Sequence, residues 1–295
     1  MHSILDLIGK TPLVRIQNST NTSEIKVYAK LEGQNPGGSV KDRTAYGMIS
    51  GAFEDGKLDK GDHIVEATSG NTGIALAMIA RQFDLGITLI MPENSTKERI
   101  QTMKAYGAEV ILTPAEKTIE YSRTLAEELS EEKGYVLLNQ FANPHNYGIH
   151  VKTTGPEIWK DTNGQITHFV SSMGTTGTIM GVSRYIKSQN SKTKIIGVQP
   201  TDGSSIPGIR RWSPEFLPAI YEPERVDQII DVSKDEAIAG MLELSRDYSI
   251  FAGMSSGGAF AAVKKLTAHL PSSSTVVFIV CDRGDRYLSS GIYDQ

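Results

Sequence analysis

The chain has 295 residues, 39% of them hydrophobic, a formal net charge of −4 and one cysteine, Cys281. That length allows two domains of about 150 residues each, the acidic balance argues against nucleic acid or a membrane surface as the main partner, and a lone cysteine excludes an intramolecular disulfide and argues against a metal site. No stretch reaches the roughly 20 apolar residues of a membrane span, MHSILDLIGKTPLVRI has no leader pattern, and a chain starting at or near Met1 in the reducing cytoplasm is expected.

The first chemical signal in chain order is NPGGSVKDR, residues 35–43. Ser39 and Asp42 have the spacing of an N-terminal capping box, which predicts a helix whose first turn holds Lys41. A helix N-terminus disfavours an ammonium ion, so the free amine needed for Schiff-base chemistry becomes accessible there. Strand-like runs follow at 63–68, 87–92, 108–113 and 135–140, with helical stretches between them. The first of those helices is predicted from near Gly73, and the next is opened by Ser95 and Glu98 as a second capping box. A boundary rich in turn formers is predicted around 143–155, and further strands at 166–173, 194–200, 228–233 and 275–282. The alternation predicts an α/β fold with parallel sheets covered by helices on both faces.

Ligands of such folds collect at the carboxyl ends of the strands, and three turns there are candidates. ATSGNTG, residues 67–73, offers backbone N–H groups to a carboxylate, or is simply a well-capped helix start. SSMGTTGT, residues 171–178, reads as a cup for a small monophosphate: Gly174 and Gly177 let the backbone approach a ligand, and Thr175, Thr176 and Thr178 add hydroxyls. It has neither the lysine of an ATP loop nor the spacing of a dinucleotide fingerprint. GMSSGGA, residues 253–259, presents Ser255 and Ser256, with no histidine placed to make either a nucleophile.

A reactive lysine, a phosphate cup and a carboxylate turn together describe a pyridoxal-phosphate enzyme. Through IGKTPLV, LEGQNPGGSVKDR, EATSGNTGIALAMIA, MKAYGAEV, TTGPEIW, SSMGTTGT and SSGG, in order over nearly the full length, the chain resembles the fold type II (β-family) enzymes of this cofactor, and within them the O-acetylserine sulfhydrylases or cysteine synthases. The resemblance implies two doubly wound α/β domains of the tryptophan synthase β-like kind with pyridoxal 5'-phosphate in the cleft: a smaller, mobile domain at 36–145, and a larger one from 1–35 plus 146–295. It implies that Lys41 carries the cofactor as a Schiff base and later acts as proton shuttle. Asn71 meets the ring hydroxyl, Gly174, Thr175, Thr176, Gly177 and Thr178 bind the phosphate, and Ser255 faces the pyridine nitrogen. Thr68, Ser69, Gly70, Thr72 and Gln140 bind the substrate carboxylate. The implied reaction is β-replacement of the acetate of O-acetyl-L-serine by a sulfur nucleophile, in a cytoplasmic homodimer without metal.

SSIPGIRRW, residues 204–212, matches the B-type members, and Arg210 and Arg211 are expected near the mouth of the site, favouring thiosulfate and S-sulfocysteine as product. The alternative for either arginine is a structural salt bridge. Cys281 is expected at a strand end with a packing role, and Asp282 to tune protonation or pair with an arginine. A serine or threonine dehydratase and a degenerate regulatory homologue are the competing readings.

Overall fold

The computed structural model describes residues 3–17, 24–68 and 70–294. Its strands are β1 (Leu13–Ile16), β2 (Lys26–Leu31), β3 (His63–Ala67), β4 (Gly86–Pro92), β5 (Glu109–Thr113), β6 (Val136–Leu137), β7 (His168–Ser172), β8 (Lys194–Pro200), β9 (Gln228–Val232) and β10 (Thr275–Val280). The helices are α1 (Lys41–Glu54), α2 (Asn71–Gln82), α3 (Lys97–Ala105), α4 (Thr118–Lys133), α5 (Pro144–Lys152), α6 (Thr154–Asp161), α7 (Gly177–Gln189), α8 (Lys234–Tyr248) and α9 (Met254–Thr267).

Two sheets result, one of order β1-β2-β10-β7-β8-β9 and one of order β5-β4-β3-β6. All pairings are parallel except the antiparallel β1–β2 edge. Successive strand side chains point to opposite faces, so each run of apolar residues feeds two cores. Val170, Ile196 and Phe278 pack with α8 and α9, while Phe169, Ile195, Val277 and Ile279 pack with α6 and α7. In the smaller sheet Ile64 and Leu89 meet α1 and α2, and Val65 and Ile90 meet Ile119 and Ala126 of α4. β10, TVVFIV, is buried at every position, as a central strand between two helix layers must be. The α/β architecture of doubly wound parallel sheets is therefore as the sequence predicts.

Several local expectations give way to tertiary demands. The two capping boxes are absent. Val40 precedes α1 without a side-chain cap, because the buried Asp42 carboxylate accepts from Gly37 N in the Pro-Gly-Gly turn, while Ser39 Oγ accepts from Lys41 N (3.2 Å). At α3 the flanking residue is Thr96. Glu98 instead accepts from Ser289 N (2.9 Å) and Ser289 Oγ (2.8 Å), tying the helix to the 3-10 segment Gly284–Ser290. α2 begins at Asn71, not Gly73. The run predicted as strand over 135–140 pairs only at Val136–Leu137, since beyond it the N–H groups of Asn139 and Gln140 turn to the Glu66 carboxylate (2.9 and 3.2 Å). The turn-rich boundary at 143–155 is mostly helix: Asn143 caps α5 through His145 N (2.9 Å) and Pro144 occupies its first position. Among the described residues no helix is long and apolar enough to cross a membrane.

Candidate active site

A cavity of about 390 Å³ opens where the carboxyl ends of β3, β7 and β10 face one another. Lys41, Thr68, Gly70, Asn71, Thr72 and Gln140 line it, as do Gly174, Thr175, Thr178, Arg210 and Ser255. Ser69 lies outside the described residues. Thr176 and Gly177 belong to the cup but do not border the cavity, and Arg211 is not part of its wall. The lining carries Lys41, Arg99 and Arg210 and, among the described residues, no aspartate or glutamate.

Lys41 is the first residue of α1. Burial is the main cause that lowers its amine pKa, opposed by Cys281, Asp282 and Glu32. Burial thus adds to the argument from the helix end. Two residues on, in the same turn, Arg43 anchors the helix: Nε and Nη2 donate to Glu32 (2.8 and 2.9 Å), and Nη1 and Nη2 donate to Glu157 (both 2.7 Å). Paired forks of this kind fix orientation as well as charge.

In the first turn, Thr68 Oγ1 accepts from Gly70 N and Gly73 N (3.2 Å each), ordering the entry to α2. Thr72 Oγ1 donates to Gln140 Oε1 (2.8 Å), and Gln140 Nε2 donates to Ala67 O (3.0 Å). The proposed carboxylate-binding groups are therefore already linked to each other. Glu66 supports them from below, holding the backbone of Asn139 and Gln140, and burial raises its pKa to about 7. Asn71 Nδ2 donates to Asp282 Oδ2 (2.7 Å), which also accepts from the Tyr287 hydroxyl (2.9 Å). The buried Asn71 Oδ1 has no partner. Asp282 thus orients Asn71; the arginine pairing considered for it is not what its carboxylate makes.

The cup is built differently. Thr176 holds a left-handed conformation (φ 69°) just before α7, and its buried hydroxyl has no partner. Its glycines make room for protein. A Cβ on Gly177 would lie 2.0 Å from Asn146 Oδ1, and one on Gly174 would lie 2.9 Å from the Gly208 carbonyl. Buried Asn146 donates through Nδ2 to Gln140 O (2.6 Å) and Thr175 Oγ1 (3.2 Å), and accepts at Oδ1 from Thr44 Oγ1 (3.2 Å). It joins the lysine helix, the carboxylate turn and the cup. His150 lies beside it between Thr44 and Thr178, and burial, then the charge of Arg43, lowers its pKa to about 3, so the imidazole is neutral.

Ser255, in the first turn of α9, lines the cavity; Ser256 does not, and its hydroxyl accepts from Cys281 N (2.9 Å). Cys281 borders the cavity at the end of β10, but burial pushes its thiol up to about 11 against the pull of Lys41, which favours the protonated, less nucleophilic form. The adjacent arginines diverge. Arg210 reaches the cavity, with no side-chain hydrogen bond or ion pair among the described residues. Arg211 pairs with Asp231 (2.7 Å) and Asp202 (3.2 Å) and donates to Pro200 O (2.9 Å), the salt-bridge alternative. The pair expected at the mouth is a single arginine.

Residues 4–282 match the family of pyridoxal-phosphate dependent enzymes. The chain is 54% identical over 292 residues to cysteine synthase B of Pseudomonas aeruginosa (99% of this chain, 97% of that protein) and 50% identical over 295 residues to cysteine synthase B of Escherichia coli (100% and 97%). It superposes on the crystal structure of O-acetylserine sulfhydrylase isoform 3 from Entamoeba histolytica with a TM-score of 0.92 at 36% identity, covering 100% of this chain and 92% of that one. The chain belongs to the pyridoxal-phosphate-dependent enzymes.

The residues present fit that cofactor. The orphaned Asn71 Oδ1 and Thr176 Oγ1 are buried polar atoms of the kind a bound group satisfies. The cup closes onto a helix N-terminus suited to a phosphate, and Lys41 is the amine whose pKa is lowered. Sequence reasoning missed Glu66, Asn146 and Arg99. The signal for Glu66 was available as one carboxylate inside the apolar strand HIVEA.

Proposed function

We propose that this cavity performs β-replacement on O-acetyl-L-serine with either sulfide or thiosulfate, and that Arg210 alone makes the second donor usable. With sulfide the products are L-cysteine and acetate; with thiosulfate, S-sulfo-L-cysteine and acetate. The observation that carries this reading is the acid-free lining around a half-buried lysine whose pKa is lowered, an environment for anionic reactants. Pyridoxal phosphate, when bound, supplies the electron withdrawal that makes the α-proton of an amino acid acidic.

The chain's own residues do the rest. Lys41 Nζ, whose pKa burial lowers, accepts the α-proton and later returns it. Thr68, Ser69, Gly70, Thr72 and Gln140 orient the substrate by its carboxylate, the cup at Gly174, Thr175, Thr176, Gly177 and Thr178 holds the cofactor phosphate, and Asn71 and Ser255 flank its ring. Ser255 is a neutral group opposite the ring nitrogen, which favours β-elimination over racemisation or transamination. Residues 36–145 form the smaller domain that moves over the substrate, and the working form is a cytoplasmic homodimer; both follow the family resemblance.

The test supplies O-acetyl-L-serine with either donor to the parent, Arg210→Ala and Arg211→Ala. Loss of one charge-assisted contact lowers Arg210→Ala turnover with thiosulfate by about tenfold or more and leaves sulfide turnover nearly unchanged. Arg211→Ala preserves the ratio of the two. Keto-acid release by the parent without any sulfur donor at the full rate, or equal losses with both donors in Arg210→Ala, would contradict the reading.

A further inference from the structure

Lys30, Arg43, Arg99 and Arg286 are the buried cationic side chains among the described residues. Lys30 pairs with Glu157 and Thr11 O, and Arg43 with Glu32 and Glu157; Arg286 has no ion pair among the described residues and an unpartnered Nη1, but its Nη2 donates to Gly37 O and it does not border the cavity. Arg99 is 7% exposed, borders the cavity, and has neither an ion pair nor a side-chain hydrogen bond among the described residues; its Nε is fully buried without an acceptor. A buried charge without a counterion is costly, so this position calls for an anion.

We propose that Arg99 is a substrate-binding residue whose guanidinium holds the α-carboxylate of the amino-acid substrate from behind turn 68–72. The proposal rests on the reading that this cavity binds O-acetyl-L-serine. Arg99 sits in the first turn of α3, and a Cβ on Gly70 would lie 2.9 Å from its Nε, so the missing side chain at Gly70 lets the guanidinium reach the turn itself. Tyr287 fixes the guanidinium plane: its ring centroid lies 5.0 Å from Arg99 Cζ, and its hydroxyl is tied to Asp282. Stacking leaves the edges of the fork free for a planar anion. The other anions of the reaction have places elsewhere. The phosphate cup stands at the end of β7, and Arg210 belongs to the loop after β8. The carboxylate is what meets the end of β3.

The experiment compares the holoenzyme with Arg99→Met and Arg99→Gln, using O-acetyl-L-serine and its carboxamide analogue as substrates and calorimetric binding of L-serine as a readout independent of turnover. Removing the charge raises KM for O-acetyl-L-serine by about tenfold or more, changes kcat little, and weakens L-serine binding by a similar factor. The carboxamide, lacking the anion, shows no such change. Equal effects on carboxylate and carboxamide, unchanged L-serine binding, or failure of both variants to fold would assign Arg99 to the support of Tyr287 and overturn the proposal. A parent that binds L-serine in an Arg99-dependent way yet does not turn over O-acetyl-L-serine would instead sink the reaction assignment and leave the anion site standing.

Discussion

Turn 68–72 at the end of β3 and turn 174–178 at the end of β7 are both short runs of small and hydroxyl residues leading into a helix. Behind the cup stand groups that cannot retreat: the Gly208 carbonyl against Gly174, and against Gly177 the Asn146 carboxamide, itself held by Gln140, Thr175 and Thr44. Behind Gly70 stands Arg99 Nε, part of a long side chain with no hydrogen bond to break. The cup is locked by neutral hydrogen bonds, as suits the proposed site of a cofactor that stays through each turnover. The other turn is backed by a charge that no hydrogen bond holds, as the proposed substrate site requires.

The largest test of this contrast is one methyl group on each side. Gly177→Ala places a Cβ 2.0 Å from Asn146 Oδ1 and must displace a buried, triply bonded side chain; a loss of about 3 kcal/mol is expected from overpacking, together with weakened retention of pyridoxal phosphate. Gly70→Ala meets Arg99 Nε at 2.9 Å, on a side chain held by stacking on Tyr287 but by no hydrogen bond, and a loss of about 1 kcal/mol is expected on the same grounds. Thermal melts and cofactor titration measure both. Equal melting points for the two variants would break the comparison.

A smaller effect sharpens it. Asn146→Ala leaves Gln140 O and the hydroxyls of Thr175 and Thr44 short of a partner, at a cost of about 2 kcal/mol. Because Asn146 touches both sides, cofactor affinity and KM for O-acetyl-L-serine should both move, read by titration and steady-state kinetics. A change in cofactor affinity alone would confine Asn146 to the cup.

Much of this was legible in the sequence, for identifiable reasons. The strands at 194–200 and 275–282 were readable because they are apolar on both faces and sit centrally in a parallel sheet. Lys41 and both turns were readable because their chemistry is local. What the sequence hid depends on residues distant in the chain. Asp42 and Glu98 have capping-box spacing, yet Gly37 and Ser289 take their carboxylates. Arg210 and Arg211 are identical neighbours, and only the position of Asp202 and Asp231 decides which of them faces the cavity. Asn146 lies in a run that looks like a turn, and its three partners come from α1, the loop after β6 and the loop after β7.

The smallest predicted effect again separates the two sides, through pH. On the carboxylate-turn side, burial raises Glu66 from its ordinary 4.5 to about 7. Folding there takes up a proton, so the stability it contributes is complete below 4.5 and is lost as pH rises through about 7. On the cup side, burial lowers His150 from 6.5 to about 3. Its contribution is complete above 6.5 and is lost as pH falls toward 3. Melting temperature should therefore decline toward both ends, with different residues responsible for each. Glu66→Gln should flatten the decline between pH 5 and 8 without changing the acid limb; Asp42, also raised to about 7 by burial, leaves a residual step of the same sign. His150→Gln should flatten the acid limb alone. Melting curves across pH 4 to 8 measure both, and a Glu66→Gln profile parallel to that of the parent would show that the Glu66 carboxylate is already ionised in the folded protein, with Asn139 N and Gln140 N sufficient to hold its charge.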